Sequence, residues 1–242
     1  MKNKFDNALS EALDHFKNKK NVLGILVGGS YVNGTLSKNS DIDLFIVTEN
    51  VKWREKGVKF FNGVEVEYFL QPYNQVLKYF EMESESLKRT TVSLFSSGKI
   101  LFDPQNKVKE LVQFAKKISS KKLPKVPKPK INLIKYFVED DLKDLSDATE
   151  DKNLKLANLI INSLFNNIIE NYFLLERTPL PKSKHLLKEI KDKKFKNKVS
   201  TFLKSNSTET RTNSINKLSK HFLEKYGGKL PKEHKFRHKT TY

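Results

Sequence analysis

The chain has 242 residues, of which 37% are apolar and 11% aromatic, which is enough for one large core or two smaller ones. It contains no cysteine, so disulfide frameworks, thiolate metal sites and cysteine nucleophiles are excluded, and we expect a cytoplasmic protein. The net charge of +18 is uneven, at +4 over residues 1–120 and +14 over residues 121–242, and a basic surface attracts nucleotides or nucleic acid.

The first half of the chain alternates helical and strand patterns. Apolar residues recur at helical spacing over Phe5–Lys17, and two apolar runs of strand length follow at Asn21–Val27 and Asp41–Thr48. Asn62-Gly63 then separates two further strands, because this dipeptide is a strong signal for a two-residue hairpin. These patterns predict a small mixed sheet with helices.

Three more elements complete this first domain, which we place at residues 1–118. They are a helix over Tyr73–Lys88, a short strand over Lys99–Phe102 and a helix over Lys107–Ile118. Residues 119–130 contain three prolines and five lysines, so we predict an extended linker there rather than helix.

The remainder is predicted to be a helical bundle over residues 131–228, followed by a basic tail over residues 229–242. The predicted helices are Ile131–Ala148, Leu154–Leu175, Lys182–Asp192, Phe195–Leu203 and Glu209–Tyr226. The most apolar stretch, Leu159–Leu175, is interrupted by asparagines and a glutamate, so we expect no membrane span. The fold class is therefore α+β, with a mixed sheet followed by an α-helical bundle.

Three short motifs carry the chemistry. Gly28-Gly29-Ser30 follows a strand, where glycines allow a ligand to approach the backbone and Ser30 adds a hydroxyl suited to phosphate. In Asp41-Ile42-Asp43 the two carboxylates point to one face of a strand, and their repulsion favours a hard cation such as Mg²⁺ between them. Glu65 or Glu67, on the hairpin strand expected beside Asp43, supplies a third carboxylate as metal ligand or general base.

Together these motifs predict a site for phosphoryl-type transfer. The Gly-Gly-Ser turn would hold phosphates and the two aspartates a metal ion. Gly29 and Gly34 have the spacing of a P-loop, but Thr35-Leu36 stands where such a loop needs Lys-Ser/Thr. A P-loop ATPase or kinase is therefore excluded.

Gly28-Gly29-Ser30, a spacer of ten residues and Asp41-Ile42-Asp43 resemble the defining motif of the DNA polymerase β-like nucleotidyltransferase superfamily. The resemblance implies catalytic and metal-binding roles for Asp41 and Asp43, and it aligns the third carboxylate with Glu67, with Glu65 as the alternative. It further implies that Gly28, Gly29 and Ser30 bind the nucleotide, and that Mg²⁺, as two ions, acts on ATP or another NTP.

In its helix order, in Asp140-Asp141 and in Pro181-Lys182-Ser183-Lys184, the helical half resembles in outline the C-terminal bundle of kanamycin- and streptomycin-type antibiotic nucleotidyltransferases and HEPN-like domains. That resemblance implies that Lys184, near the start of a later helix, reaches the nucleotide phosphates, with Lys182 as the alternative. It predicts transfer of AMP to a hydroxyl of a small molecule, by a monomer or a homodimer.

Two alternatives stay open at this point. The positive charge favours an RNA acceptor, and a protein acceptor is the related case. A chain that resembles both halves of a toxin–antitoxin pair could instead be a catalytically silent, nucleotide-binding regulator. The HEPN ribonuclease signature, Arg then His after four to six residues, is not matched by Arg177 to His185 or Arg211 to His221, and both aspartates are retained, which favours an active transferase.

Overall fold

The computed structural model describes residues 2–237; Met1 and the last five residues of the predicted basic tail lie outside the described part. The chain divides after Lys122 into two compact units. The first unit is a mixed sheet with helices and the second is helical, which confirms the predicted α+β class. None of the helices within residues 2–237 is long and apolar enough to cross a membrane.

The first unit contains five strands in the order β3-β4-β2-β1-β5. β2 and β4 are parallel, while the β1–β2, β1–β5 and β3–β4 pairs are antiparallel. Its elements are α1 Lys2–Lys17, β1 Val22–Gly28, α2 Gly29–Asn33, β2 Ile42–Thr48, β3 Glu55–Phe61, β4 Val64–Pro72, α3 Tyr73–Glu83, α4 Thr90–Ser97, β5 Lys99–Phe102 and α5 Lys107–Ser119.

The central strand β2 is buried on both faces. Side chains alternate along a strand, so Leu44 and Ile46 pack with α1 on one face, while Phe45 and Val47 pack with α3, α4 and α5 on the other. The predicted hairpin is confirmed at the sheet edge, where Asn62 and Gly63 have φ of 48° and 65°. Positive φ at both positions is the two-residue turn that Asn-Gly favours.

The predicted helix over Tyr73–Lys88 is wrong in its last five residues. α3 ends at Glu83, and a separate helix, α4, follows in a stretch to which the sequence patterns assign no element. The Glu83 carboxylate accepts hydrogen bonds from the N–H groups of Thr91 (3.0 Å) and Val92 (2.9 Å). This long-range cap starts α4, and helical spacing in the sequence cannot show it.

Arg89 holds this corner of the first unit together. Its side chain is buried, and its guanidinium donates to the carbonyls of Ile118 (3.0 Å) and Lys121 (2.9 Å), and to those of Glu83 and Ser84. Burial lowers the pKa of Arg89, and the nearby Glu83 opposes that effect. The hydrogen bonds compensate for the cost of burying a charge and join α3, α4 and the end of α5.

The helices of the second unit are α6 Lys128–Glu150, α7 Leu154–Leu175, α8 Leu186–Glu189, α9 Lys193–Lys204 and α10 Thr208–Lys225. The bounds of α7 are those predicted. α6 begins three residues before the predicted start, inside the segment expected to be linker. Pro129 lies in its first turn, where a missing N–H costs no hydrogen bond, so the exclusion of helix there was wrong.

The predicted helix over Lys182–Asp192 is also wrong. The structure has a 3-10 turn over Ser183–His185 and the four-residue α8. The chain is then extended at Ile190, because the Asp192 carboxylate must accept the N–H of Phe195 (3.0 Å) to cap α9. That backbone hydrogen bond is the main reason why the pKa of Asp192 is lowered.

Replacing Arg89 by Met should lower the free energy of unfolding of the first unit by about 2–4 kcal/mol, because buried carbonyls lose charged donors. Urea unfolding can be followed by fluorescence of Trp53, the chain's one tryptophan. The matched control is Arg54→Met, at an exposed arginine, with an expected loss below about 1 kcal/mol. Equal losses in the two variants would contradict this role for Arg89.

Candidate functional site

A row of residues crosses four strands at one end of the sheet in the first unit. Asp43 on β2 is in register with Gly28 on β1 and with Glu67 on β4, and Glu67 is in register with Val58 on β3. Neighbouring strands lie about 4.8 Å apart, and directly paired residues point to the same face. The register therefore brings together groups that are far apart in the sequence.

Three carboxylates meet on this row. Asp41, just before β2, joins Asp43 and Glu67, and one oxygen from each lies within 4.8 Å of the others. All three residues are partly buried, which strengthens the mutual repulsion of their charges. Glu65 is exposed and is not part of this group. The structure thus brings Glu67, and not Glu65, to the two aspartates.

The donor set of this group fits a hard divalent cation. It consists of carboxylate oxygens, without imidazole or thiolate, and Mg²⁺ prefers such oxygen ligands. A cation between the carboxylates would also relieve their repulsion.

Gly29 lies directly against the carboxylates. Its φ is +64°, and a β-carbon added there would overlap Oδ2 of Asp43 and lie 3.0 Å from its Cγ. A side chain at this position would therefore both strain the backbone and displace Asp43. Gly28 is less demanding, because a β-carbon there would meet the Leu94 side chain of α4 at 2.5 Å.

Ser30, the next residue, carries an unsatisfied polar atom. The residue is buried, and its Oγ has no hydrogen-bond partner among the described residues. A buried hydroxyl without a partner is costly, so such an atom in a native fold calls for an explanation such as a ligand. An oxygen of a phosphate group is a partner that this hydroxyl fits.

A side-chain hydrogen bond joins α2 to α1. Tyr31 donates a hydrogen bond from its hydroxyl to Oδ1 of Asp6 on α1 (2.7 Å). Burial, and then the bond to Asp6, raises the pKa of Tyr31 to about 12. The phenol therefore stays protonated at neutral pH and keeps donating this bond.

Lys56 is a residue of the site that sequence patterns did not identify. Its Nζ lies 2.6 Å from Oε1 of Glu67, and 5.1 Å from the centre of the Phe69 ring. Lys56 is in register with Phe69, which lies two residues after Glu67 on the same face of β4. The register of the β3–β4 hairpin was therefore the signal that could have predicted Lys56 beside Glu67. The lysine side chain is 61% exposed, so its ion pair with Glu67 is a surface pair of small energy.

Lys184 belongs to the second unit. It lies exposed in the 3-10 turn over Ser183–His185, and its role in nucleotide binding stays a prediction. The second unit also contains a cavity of about 670 Å³ between α6 and α10, with an apolar wall that includes Leu142, Leu145 and Leu223. The carboxylates contribute nothing to this cavity, so we place the candidate chemistry on the sheet of the first unit.

The comparison with protein families agrees with the superfamily that the motifs resemble. The model of the nucleotidyltransferase domain family matches residues 9–205. No curated protein matches the chain. Among solved structures, a nucleotidyltransferase-like protein from Exiguobacterium sibiricum is similar, with 14% identity and a TM-score of 0.49, over 91% of this chain and 75% of that one.

The family match spans most of the chain and includes the strands that carry Asp41, Asp43 and Glu67. The chain therefore belongs to the nucleotidyltransferase domain family and is a nucleotidyltransferase.

Proposed function

We propose that this enzyme uses Mg²⁺ to transfer a nucleoside monophosphate, AMP from ATP, to a hydroxyl of a small-molecule acceptor, with release of pyrophosphate. The observation that carries the proposal is the meeting of three carboxylates beside Gly29 and the unsatisfied hydroxyl of Ser30. The three carboxylates suit a divalent metal, and the turn with Gly29 and Ser30 suits phosphate.

Asp41 and Asp43 would hold the metal, with Glu67 as the third ligand. Two Mg²⁺ ions are proposed, and when bound they supply Lewis-acid polarisation of the phosphoryl oxygens and neutralise the charge of the pyrophosphate that leaves. Asp43 lies on the buried strand β2 and Asp41 directly precedes it, so the aspartates would hold the reacting phosphate on a rigid element.

Gly28, Gly29 and Ser30 would bind the nucleotide. The Ser30 hydroxyl would donate to an oxygen of the β- or γ-phosphate, and Gly29 would let the phosphate approach the backbone. Lys184 is proposed as a further phosphate ligand, on the resemblance of the helical half alone.

In the transfer step, the acceptor oxygen forms a bond to the α-phosphorus while the bond from that phosphorus to pyrophosphate breaks. Glu67 would accept the proton of the attacking hydroxyl, a role supported by the closeness of its carboxylate to those of the aspartates. Lys56, whose Nζ lies 2.6 Å from Oε1 of Glu67, would help to orient this carboxylate.

We also propose that the chain is of the antibiotic nucleotidyltransferase type, with a HEPN-like bundle as its second unit. The second candidate function is transfer to RNA, which the net charge of +14 over residues 121–242 favours. The third reading, a silent regulator, is the least favoured, because the described residues retain all three carboxylates in one group.

Calorimetry of ATP with Mg²⁺ tests the proposal directly. Wild type should show metal-dependent ATP binding, and Asp41→Asn/Asp43→Asn should weaken it at least about tenfold, because the metal loses two ligands. The matched control is Glu65→Gln, which removes a carboxylate outside the group and should bind like wild type. The proposal fails if wild type shows no metal-dependent binding at millimolar ATP.

Gly29→Ala and Gly34→Ala form a second matched pair. Both positions have positive φ, so Gly34→Ala should lose about 1 kcal/mol of unfolding free energy, and Gly29→Ala should lose more because its β-carbon also overlaps Asp43. A β-carbon at Gly34 meets nothing within 4 Å, whereas one at Gly29 displaces Asp43. Gly29→Ala alone should therefore lose Mg²⁺-dependent ATP binding in calorimetry. Retained binding in Gly29→Ala would show that Mg²⁺-dependent ATP binding does not require Asp43 in its observed position.

A further inference from the structure

The carboxylate face of the sheet continues beyond Glu67 onto the edge strand β3. Val58 is in register with Glu67, and Phe60 is in register with Glu65. Because paired residues share a face, both apolar side chains stand on the same side of the sheet as the carboxylates. Lys56, next along this face, forms the ion pair with Glu67.

This part of β3 is exposed although it is apolar. Phe60 is 68% exposed and Val58 is 49% exposed, whereas Phe61, on the opposite face, is buried against α1. An apolar pair on an edge strand is a liability in a soluble fold, since it invites association. Its position beside the carboxylates therefore calls for a functional reason.

The order of the strands gives the site two sides. Gly28 and the Gly-Gly-Ser turn follow β1, on one side of Asp43, while β4 and β3 lie on the other. If the phosphates of the nucleotide occupy the β1 side, the side of Glu67 and β3 is left for the acceptor. This step rests on the proposed function.

We infer that Val58 and Phe60 form the acceptor wall of the active site, and that they select a small acceptor with a flat apolar ring next to its reacting hydroxyl. Two apolar side chains offer a surface of about one ring. A ring on Val58 lies about one strand spacing, 4.8 Å, from Glu67, so a hydroxyl a few bonds from the ring reaches that carboxylate.

The apolar character of the wall argues against a polycationic occupant. An aminoglycoside would leave the exposed side chains of Val58 and Phe60 without an apolar partner. A molecule with an apolar ring covers both side chains.

Phenyl β-D-glucopyranoside and methyl β-D-glucopyranoside form a matched pair of probes, because they carry the same hydroxyls and differ in the ring. Binding is measured by ligand-detected NMR on the full chain, without ATP or metal. Wild type should bind the phenyl glucoside about tenfold more tightly than the methyl glucoside, and Phe60→Ala should abolish this preference. Phe60→Tyr, which keeps the ring, should restore it.

The control variant is Phe114→Ala, which removes an exposed phenylalanine from α5 of the same unit and should leave the preference unchanged. The inference is overturned if wild type does not prefer the phenyl glucoside, or if Phe60→Ala binds both probes like wild type. It is equally overturned if Phe60→Ala weakens binding of single-stranded oligoadenylate alone, or converts a wild-type dimer to monomer, since the wall would then serve another partner.

This test and the test of the proposed function fail separately. Glucoside binding needs neither metal nor nucleotide, whereas the calorimetry with Asp41→Asn/Asp43→Asn needs both. Metal-dependent ATP binding without a preference for the phenyl glucoside would contradict the acceptor wall and support the transferase site. A preference for the phenyl glucoside that depends on Phe60, without ATP binding, would support a ligand-binding surface at Phe60 and contradict the proposed transferase site.

Discussion

The parallel pairing of β2 with β4 is the constraint on which the site depends. It places Asp43 opposite Glu67. Asp41 directly precedes the first residue of β2, Ile42, and its carboxylate joins those of Asp43 and Glu67. A shift of one residue in this register would turn Glu67 to the opposite face, where Val66 and Tyr68 pack against α1. Burial of both faces of β2 therefore fixes the chemistry as well as the fold.

Charge and packing oppose each other along this row. The carboxylates repel one another, and the glycine beside them has a backbone conformation that other residues rarely adopt. The buried hydroxyl of Ser30 adds a polar atom without a partner among the described residues. Such costs persist when the surrounding structure enforces them, and here the sheet and its helices do so. A metal ion and a phosphate are the ligands that would relieve them.

The sequence predicted those parts of the fold that depend on local patterns. The apolar runs of β1 and β2, the Asn62-Gly63 hairpin and the full length of α7 are of this kind. The two helix errors have different causes. The carboxylate of Glu83, at the end of α3, caps α4 from outside that helix. Asp192 is a local cap of α9, three residues before Phe195, and the helical spacing of the apolar residues concealed it.

The same distinction applies to the site. Motif spacing predicted the pair of aspartates and the glycine turn, but it could not choose between Glu65 and Glu67, because both point to one face of β4. The structure brings Glu67, and not Glu65, to the two aspartates, and the catalytic role of Glu67 stays a prediction. Lys56 and the exposed Phe60 became visible once the hairpin register was known, since neither residue carries a motif. Lys184 depends on the resemblance of the helical half, and its role remains untested.

The most direct test of the central claim is a crystal structure with Mg²⁺ and α,β-methylene ATP, an analogue that cannot release pyrophosphate. The account predicts metal density within about 2.1 Å of carboxylate oxygens of Asp41 and Asp43, and phosphate oxygens at hydrogen-bond distance from Ser30 Oγ. A nucleotide bound elsewhere on the chain, with Asp41, Asp43 and Glu67 free of metal, would contradict it.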